Sequence, residues 1–314
     1  LRSALPARSE MCIRDRFTVK NVGETIKVPI DIMSIILSVL GFGGLLYGTS
    51  SISHDGWNDP IVLTTIIGGV ILVALFIWRQ SKLETPLLNF SVFKNTQFTI
   101  GILIMAVTMV SMIGSETVLP MFVQNLLNRT PLDSGLILLP GAIVMAIMSF
   151  ASGGLYEKFG AKPLALIGMM IVIITTGYFV IMDENTSSVM LATVYGIRMI
   201  GIALGLMPVM THTMNQLTYE MNAHGSSMTN TVQQIAGSIG TAILITILTQ
   251  ASKHYSPDMS NYDGMKRSEM LGQIKIDTLL HGYHAGFLFA VIITVVSFLC
   301  SFMLKKNTKS TEEQ

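Results

Sequence analysis

Charge is what this sequence has least of. Asp, Glu, Lys and Arg make up only 12% of its 314 residues, about half the share in an ordinary soluble domain. Half of the residues are apolar and the mean hydropathy is +0.58, which excludes a soluble globular fold. The net charge of +1 excludes the basic footprint of a nucleic-acid binder. Cysteine is nearly absent: Cys12 and Cys300 lie at opposite ends of the chain, so neither a disulfide framework nor a metal-ligand spacing is readable. No P-loop, nucleophile elbow or HExxH pattern occurs. Neither enzyme chemistry nor a cofactor or metal is expected.

What the chain has in abundance is long apolar runs. A membrane-spanning helix needs about 20 mainly apolar residues, and eight segments qualify, at 30–49, 60–78, 98–124, 135–155, 163–182, 188–214, 226–249 and 282–304. The fold class expected is an all-α polytopic membrane protein. Basic residues set its orientation. Lys20, Lys27, Arg79, Lys82, Lys94, Lys158, Lys162, Lys305, Lys306 and Lys309 fall on one side. The opposite connections carry none at 49–59 and 183–188, and only Arg129 between the third and fourth spans. Both ends are therefore expected in the cytoplasm. The 251–281 connection carries four basic residues, but long loops translocate largely regardless of charge. Its stretch 265–280 has helix-like apolar spacing and is expected on the outer surface. Trp57 and Trp78 sit at span ends as interfacial anchors.

Residues 1–16 differ from the rest. They contain Arg2, Arg8, Arg14 and Arg16, half of the eight arginines, whereas the remainder prefers lysine. They are expected to be a non-native extension, the alternative being a cytoplasmic linker. The first two spans with the polar connection after them (17–97) form a separable pair, residues 98–305 form a six-helix bundle, and 306–314 are a cytoplasmic tail.

Against this background, two charges stand out. Glu116 lies in the apolar run "MVSMIGSETVLPMF", about 7 Å outward of the midpoint of the third span. Arg198 lies in the sixth span, about 4–5 Å outward of its midpoint. A lone charge near the bilayer centre costs at least about 2.5–3.5 kcal/mol, so each is expected to face a partner or a wet cavity. The functional reading is a carboxylate that exchanges a proton and changes its contact with Arg198; the alternative is a static structural pair. Pro120 lacks the N–H that the Glu116 carbonyl would accept from and kinks the helix there. Gln124 lies farther along the same span. On the seventh span Asn230, Gln233, Gln234 and Gly237 form a polar, small-residue stripe that either joins helices or lines a substrate path. His281 and His284 are read as interfacial anchors, His212 as structural, and the 22 methionines as a compliant lining or simple core filler.

The turn "GGLYEKFGAK" places Gly153, Glu157, Lys158, Gly160 and Lys162 in a G-x-x-x-[DE]-[RK]-x-G-x-[RK] pattern. Its glycines permit a sharp turn, and its charges bridge neighbouring helix ends in pairs that break when a bundle rocks. This pattern resembles the loop signature of the major facilitator superfamily. "LSVLGFGGLLYG", "PLLNFSVFKNTQF", "VLPMFVQNLLNRTPLDSGLILLPGA", "RMIGIALGLMPVMT", "NTVQQIAGSIGTA" and "HAGFLFA" follow in matching order. Together they resemble the EmrB/QacA drug:proton antiporters with 14 spans, nearest the lincomycin-resistance-like branch of Gram-positive bacteria. The resemblance implies an extra central helix pair followed by a C-terminal six-helix half bundle, with an N-terminal six-helix bundle as the missing partner. It implies a bacterial plasma-membrane exporter that exchanges amphipathic drugs for protons, with the third and sixth spans lining the cavity. Glu157 and Lys158 stand where Asp and Arg are commoner. An uptake carrier of the same fold and a non-transporting membrane sensor or scaffold remain the alternatives.

Overall fold

The computed structural model describes residues 31–56, 59–83, 90–257, 262 and 266–305. Residues 1–16, Lys20, Lys27, Trp57, the middle of the polar connection (84–89), Lys306, Lys309 and the remainder of the tail lie outside that set. Leu1–Ile32 groups apart from Met33–Gln314. Only Asp31 and Ile32 of the first unit are described; all other described residues belong to the second.

Among the described residues there are eight helices long and apolar enough to cross a membrane: α1 (Ile32–Asp55), α2 (Pro60–Gln80), α3 (Thr96–Asn125), α4 (Pro131–Phe159), α5 (Ala161–Val180), α6 (Ser188–Met214), α7 (Tyr219–His254) and α8 (Arg267–Ser301). In hydrocarbon no water completes a backbone hydrogen bond, so a helix that satisfies its own backbone is the structure such runs adopt. The chain is an all-α, multi-pass membrane protein.

Local sequence sets several boundaries. Asp59 accepts from the amides of Ile61 and Val62 at 2.7 and 3.2 Å, with Pro60 opening α2. Asn95 caps α3 and donates to the carbonyl of Gln216 at 2.9 Å, tying the start of α3 to the chain just past α6. Thr130 and Asp133 form a reciprocal capping box at the start of α4. Gly160, the only residue between α4 and α5, has φ +79°, a backbone that glycine adopts without steric cost.

The last two helices are longer than their apolar cores. α8 continues without a break through the stretch expected to lie on the surface, running 35 residues from Arg267. That is about 52 Å, against a hydrocarbon core of about 30 Å. No proline interrupts residues 267–301. Gly282, the residue best suited to stop the helix there, instead lets α8 approach the Leu248 carbonyl of α7.

In the six-helix bundle α6 lies between α4 and α5, and α3 lies between α7 and α8; the two groups meet along α3–α6 and α5–α8. Small residues make the close approaches. An added Cβ on Gly168 of α5 would stand 2.5 Å from both the Gly201 carbonyl oxygen and the Gly205 amide nitrogen of α6. α3 and α7 run parallel: Phe98 meets Gly225, Met105 meets Gln233, Val110 meets Gly240 and Gly114 meets Leu244. α4 is the least covered. Leu132, Leu136, Leu139, Ile143, Ile147 and Phe150 form an outward stripe at helical spacing, with Phe150 89% exposed. The α1–α2 hairpin is closed by a buried Gln80–Ser34 hydrogen bond of 2.7 Å. Its residues Ile52, Val62 and Ile66 pack on Ala242 of α7.

Candidate functional site

α3 carries two kinds of polar group on different faces. Thr108, Ser111 and Ser115 point into the bundle, fully buried. Opposite them α8 presents Thr294, Ser297 and Ser301, also buried. Thr108 bonds Ser297 hydroxyl to hydroxyl at 2.8 Å, and Ser111 bonds Thr294 at 2.7 Å. Ser111 also donates to the Ala290 carbonyl at 3.1 Å, while Ser115 and Ser301 donate back to their own helices. The same spacing, T-x-x-S-x-x-x-S, occurs at 108–115 and at 294–301. On antiparallel helices it sets the Thr of each helix against a Ser of the other as a clasp. That repeat was visible in the sequence and is the signal by which the seam could have been found.

Glu116 follows Ser115 and is therefore turned about 100° away from the seam. It is half-buried and makes no hydrogen bond among the described residues. Its electrostatic neighbour of opposite charge is Arg198 of α6, and both interact with Tyr195, one turn before Arg198. Tyr195 lies against Gly141 of α4. It was not singled out from the sequence, although its i, i+3 spacing from Arg198 pointed to it.

Arg198 is 0% exposed. Its Nε donates to Thr176 Oγ1 of α5 at 3.3 Å and its Nη2 to the Ser111 carbonyl at 3.4 Å, while Nη1 has no hydrogen-bond partner among the described residues. Both bonds lie beyond the usual 2.7–3.2 Å, so a guanidinium with five donors is only loosely engaged. Its charged atoms do not come within 4.0 Å of the Glu116 carboxylate. The Ser111 carbonyl lies five residues before Glu116, about 7.5 Å along the helix. In this conformation acid and cation are coupled through space without an ion pair.

The other sequence-predicted residues do not converge on one point. α3 runs unbroken past Pro120 to Asn125. Gln124 is half-buried, eight residues beyond Glu116. On α7, Asn230 and Gln234 are exposed, whereas Gln233 donates to Met105 Sδ at 3.4 Å. The parallel register puts these amides level with residues 102–106 of α3, about 15–21 Å from Glu116 along the axis. The stripe thus divides, with Gln233 joining helices and Asn230 and Gln234 left exposed.

At the basic end, Lys162 donates to the Phe302 carbonyl at 2.6 Å and so caps the last turn of α8. Gly153, Glu157 and Lys158 are exposed. At the other end His284 Nε2 lies 2.6 Å from the Met182 carbonyl and His281 stacks on Tyr255 at 4.8 Å. His212 is buried. Among the described residues no cluster of His, Cys, Asp and Glu suits a metal ion.

Residues 31–241 match the family model described as Major Facilitator Superfamily. The chain is 39% identical over 296 residues to the uncharacterized MFS-type transporter YcnB of Bacillus subtilis, covering 94% of this chain and 60% of that protein. It is 44% identical over 241 residues to YhcA, another uncharacterized MFS-type transporter of B. subtilis, covering 76% and 45%. It is 34% identical over 288 residues to the lincomycin resistance protein LmrB of Listeria innocua, covering 92% and 59%. The chain therefore spans between 45% and 60% of the length of these relatives.

Proposed function

The chain belongs to the Major Facilitator Superfamily, and from that premise we propose that it is the C-terminal, eight-span part of a proton-coupled multidrug exporter. α1 and α2 are its extra helix pair and α3–α8 its C-terminal half bundle. It sits in a bacterial plasma membrane with both ends in the cytoplasm and pairs with an N-terminal six-helix bundle. The similarity to a protein named for lincomycin resistance supports drugs as the cargo. The share of each relative that the chain spans supports a missing half.

The observation that carries the reading is Glu116: a half-buried carboxylate in a spanning helix, coupled to a buried cation it does not touch. A contact ion pair would hold the acid. Without one, the acid is open to a proton from one side and to a cationic or polar drug from the other. Occupancy by one weakens the hold on the other, which is what exchange through a shared charge requires. The rest of the bundle supports motion as one body. Glycine contacts lock α5 to α6, and Lys162 ties α5 to the end of α8. Glu157 and Lys158 are available for breakable pairs with the other half as it rocks, in the alternating access such folds use.

The test is proton-driven drug exchange by the full-length protein in sided vesicles. Glu116→Gln is expected to abolish pH-gradient-driven drug movement while leaving the protein folded. Unchanged exchange with an unchanged pH profile would remove the acid from the mechanism. Drug movement in the import direction would favour an uptake carrier, and no movement at all a sensor or scaffold. The genomic sequence upstream of Phe17 tests the missing half independently: six further spans are expected there.

A further inference from the structure

On the face of α3 turned toward α7, Ile113 and Thr117 form one wall of a cleft of about 310 Å³. Gln234, Ser238, Thr241, Ala242 and Ile245 line it from α7, and Thr49 of α1 closes it. Its chemistry is one-sided. Thr49 donates to the Leu45 carbonyl at 2.7 Å, Thr117 to Ile113 at 2.9 Å, and Ser238 and Thr241 to Gln234 and Gly237 at 3.0 Å. Each hydroxyl has thus given its only proton to its own helix, and what it presents to the cleft is lone pairs. The Gln234 side chain makes no hydrogen bond among the described residues, so its carbonyl adds an acceptor and its NH2 a donor at the edge of this row. Ile113, Ala242 and Ile245 make the remaining wall apolar. A row of acceptors against an apolar wall suits a ligand with hydrogen-bond donors on one side and hydrocarbon on the other.

We propose that this cleft binds amphipathic small molecules carrying hydrogen-bond donors, an amine or a polyhydroxyl face, and that α1 completes the site through Thr49. The leading helix pair then contributes directly to ligand selection, and its anchoring on Ala242 through Ile52, Val62 and Ile66 keeps Thr49 over the cleft. The volume lies at the small end of the range for ligand pockets, so it accommodates one compact aromatic cation or one sugar ring with its substituents. The inference rests on the transport reading above and deepens it by naming a ligand class.

The experiment uses the full-length protein in phosphatidylcholine nanodiscs and two cationic probes of the same charge. Ethidium carries two primary amino groups, and tetraphenylphosphonium has no N–H or O–H. Binding is measured for the unaltered protein, Thr49→Val, Thr241→Val and the control Thr64→Val, whose hydroxyl lies on α2 and bonds its own backbone. Valine keeps the shape and removes the acceptor. Thr49→Val and Thr241→Val are each expected to weaken ethidium roughly three- to tenfold, the effect of one lost hydrogen bond. Both are expected to leave tetraphenylphosphonium within about twofold. Thr64→Val should change neither. Equal weakening of both probes, or no weakening of ethidium in either variant, overturns the cleft and leaves the transport reading standing. If the unaltered protein binds neither probe and moves neither, the two readings fall together.

Discussion

On one face of α3, Thr108 and Ser111 meet Ser297 and Thr294 of α8 at 2.8 and 2.7 Å, every hydroxyl engaged. On the face turned to α6, Glu116 has no hydrogen bond among the described residues. Arg198, fully buried, holds only two long bonds and leaves one nitrogen idle. The two faces share a helix, and Ser115 of the seam directly precedes Glu116, so the membrane environment does not explain the difference. A neutral hydroxyl pair loses little on entering a low-dielectric interior, because its partner replaces water one for one. A charge loses far more, and loose contacts do not restore it. The seam is therefore what a stable bundle looks like, and the Glu116–Arg198 face is where stability has been given up. Charges held inside a membrane at such a cost are rare and mark candidate functional sites.

Arg198→Met puts this contrast under the most severe test. If the guanidinium is held at a cost, a methionine of similar length is expected to leave thermal unfolding in detergent unchanged, or to raise stability by about 1–3 kcal/mol. Proton-driven exchange by the full-length protein is expected to fall by about two orders of magnitude, since Glu116 then loses the opposite charge to which it is coupled. Destabilisation together with retained exchange would make Arg198 a structural member like the seam. Thr176→Val is milder. It removes the Nε contact of 3.3 Å and nothing else that the Thr176 hydroxyl is seen to make with another helix. Stability is expected to change by less than about 1 kcal/mol. The pH at which exchange is half-maximal is nevertheless expected to move, because the guanidinium is then freer to approach Glu116. A pH profile superimposable on that of the unaltered protein would show that Thr176 does not position the arginine.

How much of this was legible in the sequence differs between the same two regions. The eight spans were readable because each contains about 20 apolar residues, and hydropathy needs no knowledge of neighbours. Glu116 and Arg198 were readable as charges in apolar runs. Their matched depth was an inference along the axis, and an axis carries no azimuth. The sequence therefore did not show that Arg198 reaches the Ser111 carbonyl and Thr176 rather than the acid. The asparagine and glutamine stripe meets the same limit. Helical spacing placed Asn230, Gln233 and Gln234 together but not at the level of Glu116, which only the parallel register of α3 and α7 decides. The overhang of α8 was missed because polar residues end a hydropathy window without ending a helix. The hydroxyl seam was missed because single Ser and Thr residues are commonplace in spanning helices; only the repeat of one spacing on two helices distinguishes them.

The seam itself offers the subtlest change and the cleanest control. Thr108→Val and Ser297→Ala, singly and together, form a cycle around one hydroxyl–hydroxyl bond of 2.8 Å. Interhelical hydrogen bonds in membranes couple by about 0.6 kcal/mol on average, so the double variant is expected to be more stable than the sum of the singles by about that amount. Each single variant leaves one buried hydroxyl, but not an orphan. In the Ser297→Ala variant Thr108 still donates to the Ile104 carbonyl at 2.7 Å. In Thr108→Val, Ser297 retains its 3.4 Å contact with the same carbonyl. Both losses are thereby cushioned, which keeps the coupling small. Proton-driven exchange is expected to be unaffected in all three variants. A coupling several times larger, accompanied by a change in exchange, would mean that the seam transmits motion to Arg198 through Ser111, and the two faces of α3 would then have to be read as one device.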